Sequence, residues 1–83
     1  MLISNEEKIR IKEYVSGVFT GISVACNGNA TASEILGDDH WFSWSDNLDV
    51  NLVEDEEGDW SCAVYPVIDG QTDGTQWVNI NLD

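Results

Sequence analysis

Apolar residues recur along this chain at two different spacings, and the change comes near residue 40. In the first half Ile11, Val15, Val18, Ile22 and then Ala25 or Cys26 fall three or four apart, with Tyr14 and Phe19 flanking them. That is the spacing of one helix face. Lys12, Ser16, Thr20 and Ser23 lie off that face. Ser4-Asn5-Glu6-Glu7 has the capping-box pattern, in which the hydroxyl accepts from the backbone N–H three residues on. Asn27-Gly28 supplies a left-handed stop. The pattern predicts a helix over residues 5–26. Val18-Phe19-Thr20-Gly21-Ile22-Ser23-Val24 also suits a strand, because it is rich in β-branched residues, and for residues 17–26 both readings stand. On a helix, Gly17, Gly21 and Ala25 form a strip of small residues, expected to pack closely on the sheet.

Thr31-Ala32-Ser33-Glu34 is a second capping box. It opens a short helix that Gly37 closes, and Asp38-Asp39-His40 reads as loop. Beyond it the period drops to two. Leu48, Val50 and Leu52 alternate with Asp49 and Asn51. Trp60, Cys62 and Val64 alternate with Ser61, Ala63 and Tyr65, and Val78, Ile80 and Leu82 with Trp77, Asn79 and Asn81. Such alternation predicts antiparallel strands with one buried face. Trp41-Phe42-Ser43-Trp44 adds a short aromatic strand or strand entry. Residues 54–59 and 69–74 are glycine-containing turns. Pro66 predicts an edge or a bulge, since it has no N–H for the ladder. The expected fold is α+β: an N-terminal helix and a short second helix on one face of a three-stranded antiparallel meander, four-stranded if Trp41–Trp44 joins it. Eighty-three residues make one domain over 1–83.

Composition changes what this scaffold is expected to do. Lys8, Arg10 and Lys12 are the only cationic side chains, and they fall within five residues. All sixteen carboxylates except Glu6 and Glu7 lie from Glu13 onward, and the net charge is -13. A solvated surface ordinarily mixes signs, because a single-sign field repels itself. The hydrophobic content of 42% with four Trp argues for a folded chain in spite of the charge. The start, Met1-Leu2-Ile3, has no basic n-region and no h-region, and no apolar run is long enough to span a bilayer. A cytoplasmic protein without membrane contact is expected. Cys26 and Cys62 are far apart and lack a C-x-x-C pattern. They read as small buried hydrophobes, with a disulfide left open. Asn29-Ala30-Thr31 matches the glycosylation sequon and reads as a helix junction.

The chemistry-bearing residues argue against an enzyme. His40 has no evident partner, and Ser43, Ser45 and Ser61 lack a nucleophile's context. Phosphate binding needs Lys, Arg or a glycine-rich loop at a helix start. The acidic loops lack the ligand spacing of a calcium site. No catalytic residue, metal or cofactor is expected.

What remains is the charge. Neighbouring same-face residues on a strand are about 7 Å apart, of the order of phosphate spacing in nucleic acid. Asp46 and Asp49 enter one strand. Glu54, Asp55, Glu56, Glu57 and Asp59 crowd one turn, and Asp69 and Asp73 occupy another. A meander sets these turns at opposite ends of the sheet, so carboxylates rim its open face. Asn51, Ser61, Asn79 and Asn81 fill that face with neutral hydrogen-bonding groups, and Tyr65 and Trp77 are its candidate anchors. Trp41, Trp44 and Trp60 are assigned to the core.

In size, in the cation-free stretch from Glu13 onward and in loops such as Glu54-Asp55-Glu56-Glu57, the chain resembles the small acidic inhibitors of phages and mobile elements that mimic DNA, of anti-CRISPR or anti-restriction type. The resemblance implies a stoichiometric inhibitor. It would occupy the nucleic-acid groove of a basic partner (a CRISPR effector, restriction enzyme or nuclease) without touching nucleic acid itself, as a monomer or homodimer in the host cytoplasm. Two alternatives keep the same physics or less of it: an immunity protein or antitoxin for a basic nuclease toxin, and an acidic adaptor without inhibitory activity. Lys8, Arg10 and Lys12 support their own helix by Glu6–Arg10 pairing, or form a self-association patch.

Overall fold

A computed structural model describes residues 3–82. Met1, Leu2 and Asp83, which enter the reading of the chain's start and its carboxylates, lie outside the described residues. The first element, α1, is a helix over Asn5–Cys26. The Ser4 hydroxyl accepts from the Glu7 N–H at 3.2 Å, as the capping box requires. At the other end Asn27 is left-handed, with φ 49°, and its N–H donates to the Ser23 carbonyl at 3.1 Å. The helix reading of residues 17–26 therefore holds and the strand reading falls. Val18 and Ile22 are half-buried and share a face with Ile11 and Val15, which are fully buried. That shared face outweighs the modest helix penalty of β-branching. Arg10 pairs with Glu7 at 3.5 Å, one position nearer than the expected Glu6.

The glycine strip corrects the sequence reading. Gly17, Gly21 and Ala25 are exposed, and a Cβ built on either glycine meets nothing within 4 Å. They lie away from the face that carries Ile11 and Val15, so they do not bring the helix close to the sheet.

The second helix, α2, spans Ala32–Leu36. The Thr31 hydroxyl accepts from the Glu34 N–H at 3.3 Å, and Gly37 follows with φ 84°. Leu36 packs against the core.

The sheet is a meander of β1 (Asp39–Ser45), β2 (Leu48–Glu54), β3 (Trp60–Ile68), β4 (Gln71–Thr72) and β5 (Val78–Ile80). β2 pairs with β1 on one side and β3 on the other, all antiparallel. β1 begins at Asp39, so the expected loop over 38–40 is shorter than predicted. β4 and β5 lie end to end along the outer side of β3. They are one fourth strand, broken by an excursion over residues 73–77. Pro66 accounts for the break. Its carbonyl accepts from the Asp73 N–H at 2.8 Å, but proline has no N–H to return the bond, and the chain leaves the ladder there. Neither expected setting is met: Pro66 pairs in regular register with Leu48, and its strand is central rather than an edge. The turn at Asp69-Gly70 is tighter than expected. Both residues have positive φ, 53° and 80°, as a two-residue type I′ hairpin demands.

One sheet face is covered by the helices. Ile3, Ile11 and Val15 form a single buried cluster with Val50, Leu52, Cys62, Val64 and Ile80. Aromatic pairs join helix to sheet at two places. Tyr14 lies 5.4 Å from Phe42 and 5.7 Å from Trp44, and Phe19 lies 5.2 Å from Trp60. Trp44 and Trp60 thus pack on the core as expected. Trp41 does not: it pairs with Asn51 on the opposite face and is 45% exposed. Among the described residues no helix is long and apolar enough to cross a membrane.

Two outcomes are expected. Gly17→Ala and Gly21→Ala should each stabilise the fold by about 0.5–1 kcal/mol in denaturant unfolding, because a helical Gly costs that much against Ala and the new methyl meets open space. Cys26 and Cys62 are both free thiols. Burial pushes the Cys62 thiol up to about 11 from an ordinary 9.0, so the folded chain holds a proton that the unfolded chain releases. The resulting stability is present below pH 9.0 and lost as pH rises through about 11. Urea midpoints across that window should fall in the parent and fall less in Cys62→Ala, after allowing for the cavity.

Candidate partner-binding face

The strand register sorts every side chain of the sheet to one of two faces. Opposite the helices stand Asp39, Trp41 and Ser43 of β1, Asp49, Asn51 and Val53 of β2, Ser61, Ala63, Tyr65 and Val67 of β3, and Asn79 of β5. This face is less polar than the alternation suggests, since Val53, Ala63 and Val67 interrupt the Ser and Asn positions.

Three aromatic rings form a row on it. Tyr65 lies 5.1 Å from Trp41 and 6.2 Å from Trp77, the planes tilted by 42° and 30°. The row is made possible by small or sunken neighbours. Asn51, directly beside Trp41, is only 7% exposed. Its amide N–H₂ donates to the Asp39 carboxylate at 2.6 Å and the His40 carbonyl at 3.2 Å. Asn51 is therefore spent on tying β1 to β2 and is not the open polar group expected. Ala63 is next in the same cross-strand line. Tyr65 and Trp77 stand together as expected, and Trp41 joins them. The alternation Trp41, Ser43 against Phe42, Trp44 carried that signal, but size alone assigned Trp41 to the core.

Carboxylates gather at both ends of the sheet. At one end is the β2–β3 turn with Glu54, Asp55, Glu56, Glu57 and Asp59. Asp38 and Asp39 join them, because the Glu54 N–H donates to the Asp38 carbonyl at 3.1 Å and Asp39 pairs with Val53. These two acids were missed as site residues, since only the β1–β2 register brings them there. At the opposite end are Asp46 and Asp69, in the β1–β2 and β3–β4 turns, and Asp73 beside Pro66. Asp49 stands between the ends, directly across from Tyr65. Glu54 departs from the expected layout: it shares the register of Leu48, Val50 and Leu52, so it lies on the helix side of its strand end.

Two of these acids also shape their loops. The Asp55 carboxylate accepts from the Glu57 and Asp59 N–H groups, both at 2.9 Å. The Asp73 carboxylate accepts from the Thr75 hydroxyl at 2.6 Å, the Thr75 N–H at 2.9 Å and the Gln76 amide at 3.1 Å. These donors, the Thr75 hydroxyl first, hold the Asp73 carboxyl below its ordinary range. The excursion that presents Trp77 is thus organised by one aspartate. Lys8, Arg10 and Lys12 are on α1, on the other side of the sheet. No group of three or more His, Cys, Asp or Glu is arranged to hold a metal ion among the described residues. His40 stacks near Phe42 on the helix side, at 6.0 Å.

The chain matches no protein-family model, and no curated protein or solved structure matches it at a significant level.

Asp73 gives a sharp expectation. Its hydrogen bonds are present above the ordinary carboxylate range and are lost as pH falls through its lowered value. The Thr75 amide resonance should move on acidification with a midpoint below that of an ordinary Asp. In Asp73→Asn, which still offers an acceptor oxygen, the Trp77 indole resonance should stay near its place and this titration should vanish. Asp73→Ala should shift the Trp77 indole at neutral pH.

Proposed function

We propose that the chain is a stoichiometric inhibitor of the anti-CRISPR kind, encoded by a phage or mobile element. It acts in the bacterial cytoplasm by laying an acidic, DNA-mimicking surface into the basic nucleic-acid groove of a defence complex. The observation that carries this reading is an asymmetry. Carboxylates stand at both ends of an open sheet face and along it at Asp49, while the three Lys and Arg side chains are on the helix behind it. A field of one sign over a rigid face attracts a groove lined with the other. It raises the association rate and weakens as salt rises. The protein carries no nucleic acid; it takes the place of one. Affinity comes from a few desolvated anchors rather than from area or charge alone, and Tyr65 and Trp77 are set to supply them.

The test is competition. The parent chain should displace duplex DNA from a purified CRISPR effector or restriction enzyme that it inhibits, with a steep loss of potency as salt rises. Glu54→Gln, Asp55→Asn, Glu56→Gln and Glu57→Gln together should weaken inhibition by about tenfold or more, mainly through slower association. Asn at position 55 keeps the acceptor that the Glu57 and Asp59 N–H groups use, so the unfolding midpoint should hold. Equal inhibition by this variant and by the matching one at Asp69 and Asp73 would defeat the mimicry.

A further inference from the structure

The row Trp41–Tyr65–Trp77 leaves large rings in water. Trp77 is 50% exposed and Trp41 45%, in a chain that has only four Trp. Contiguous exposed aromatic surface marks a binding site, and the surrounding charge restricts what can cover it. Asp49 is directly across from Tyr65, Asp39 is two residues before Trp41 on the same face, and Asp73 anchors the excursion that carries Trp77. The sheet and its turns carry no Lys or Arg, since all three lie on α1.

An acidic occupant would meet this field with its own sign. A neutral apolar segment would cover the rings but strip water from Asp39 and Asp49 without returning a hydrogen bond, which is costly. A second copy seated face to face would oppose one acidic rim to another. A guanidinium meets both demands. Its plane lies on an indole or phenol face, attracted by the negative face of the ring, and its edge N–H groups donate to a neighbouring carboxylate. An ammonium is bound less well, because it is compact, more strongly hydrated and cannot stack.

We infer that the aromatic row is an arginine-selective docking surface, taking an extended segment of a partner protein whose arginines alternate along one side. The spacing suits this. Same-face residues on a strand are about 6.8 Å apart, near the 5.1 and 6.2 Å between ring centroids. The inference rests on the inhibitor reading for its partner class and deepens it: the groove is engaged through arginine side chains.

The test titrates the full chain with a short peptide in which Arg alternates with Ser, its Lys-for-Arg counterpart, and an apolar peptide with no cation. Calorimetry and tryptophan emission follow binding at low and high salt. The Arg peptide should bind about fivefold more tightly than the Lys peptide, and the apolar peptide far more weakly than either. Trp41→Leu and Trp77→Leu should bring the Arg-to-Lys ratio toward one, and Trp41→Phe and Trp77→Phe should give intermediate ratios. Unchanged urea midpoints would verify that these variants fold. The Glu54, Asp55, Glu56 and Glu57 neutralised variant should weaken both cationic peptides and keep the ratio.

A ratio of one in the parent overturns the inference, as does a ratio that survives both Leu substitutions, or an apolar peptide that binds as well as the Arg peptide. So does a parent dimer in sedimentation that Trp41→Leu dissociates, which would assign the row to a second copy. The two readings fail separately. A chain that selects arginine but displaces no DNA from any target defeats only the inhibitor function. One that displaces DNA without preferring arginine defeats only the docking surface.

Discussion

Everything in this molecule depends on one contact: the stripe Ile11–Val15 of α1 lying on the inward face of β2 and β3. So small a chain can fill only one core, and here it is a single layer between helix and sheet. Val50, Leu52, Cys62 and Val64 supply the sheet side, and aromatic pairs at Phe42, Trp44 and Trp60 extend it. Because strand side chains alternate strictly, committing those residues inward commits Asp49, Tyr65 and their neighbours outward. The open face is the geometric complement of the core. A slip of one residue in register would exchange the two.

The same economy explains where the charge goes. Carboxylates cannot enter so small a core without a large desolvation cost, so they collect in turns and on the open face. Crowding them raises mutual repulsion, and the fold offsets part of it locally. Asp55 directs its carboxylate at two backbone N–H groups of its own loop, and Asp73 at one together with two side-chain donors. Asp39 receives the Asn51 amide. These acids do two things at once: they fix backbone geometry and they contribute to the outward field. Asn is the informative replacement at such positions, since it removes charge and leaves an acceptor.

Much of this was legible along the chain. The two capping boxes, the αL stop at Asn27 and the period-two segments each rest on local chemistry, and each stands where expected. Residues 17–26 were ambiguous because their composition favours a strand while their spacing favours a helix; the left-handed stop at Asn27 and the half-buried Val18 and Ile22 on the face of Ile11 and Val15 settle it. The glycine strip misled because small residues on a helix suit close packing only on the side facing a neighbour. Trp41 misled for a related reason. Its size argues for burial, but its position in the alternation argues for the open face, and register prevails over size.

By itself the sequence determined where the helices start and how they are capped, the alternation of the later strands, and the near absence of cations behind a surfeit of carboxylates. These are properties of neighbours in the chain, set by backbone hydrogen bonding, side-chain periodicity and charge count. Only the tertiary structure decided which elements share an edge. It brought Asp38 and Asp39 to the β2–β3 turn, broke the fourth strand opposite Pro66 so that Trp77 is presented on an excursion, and joined Trp41, Tyr65 and Trp77 into one row. Those placements depend on pairing between segments distant along the chain. The physical reason is that register is fixed by the competition of all strands for one small core, which no single segment records.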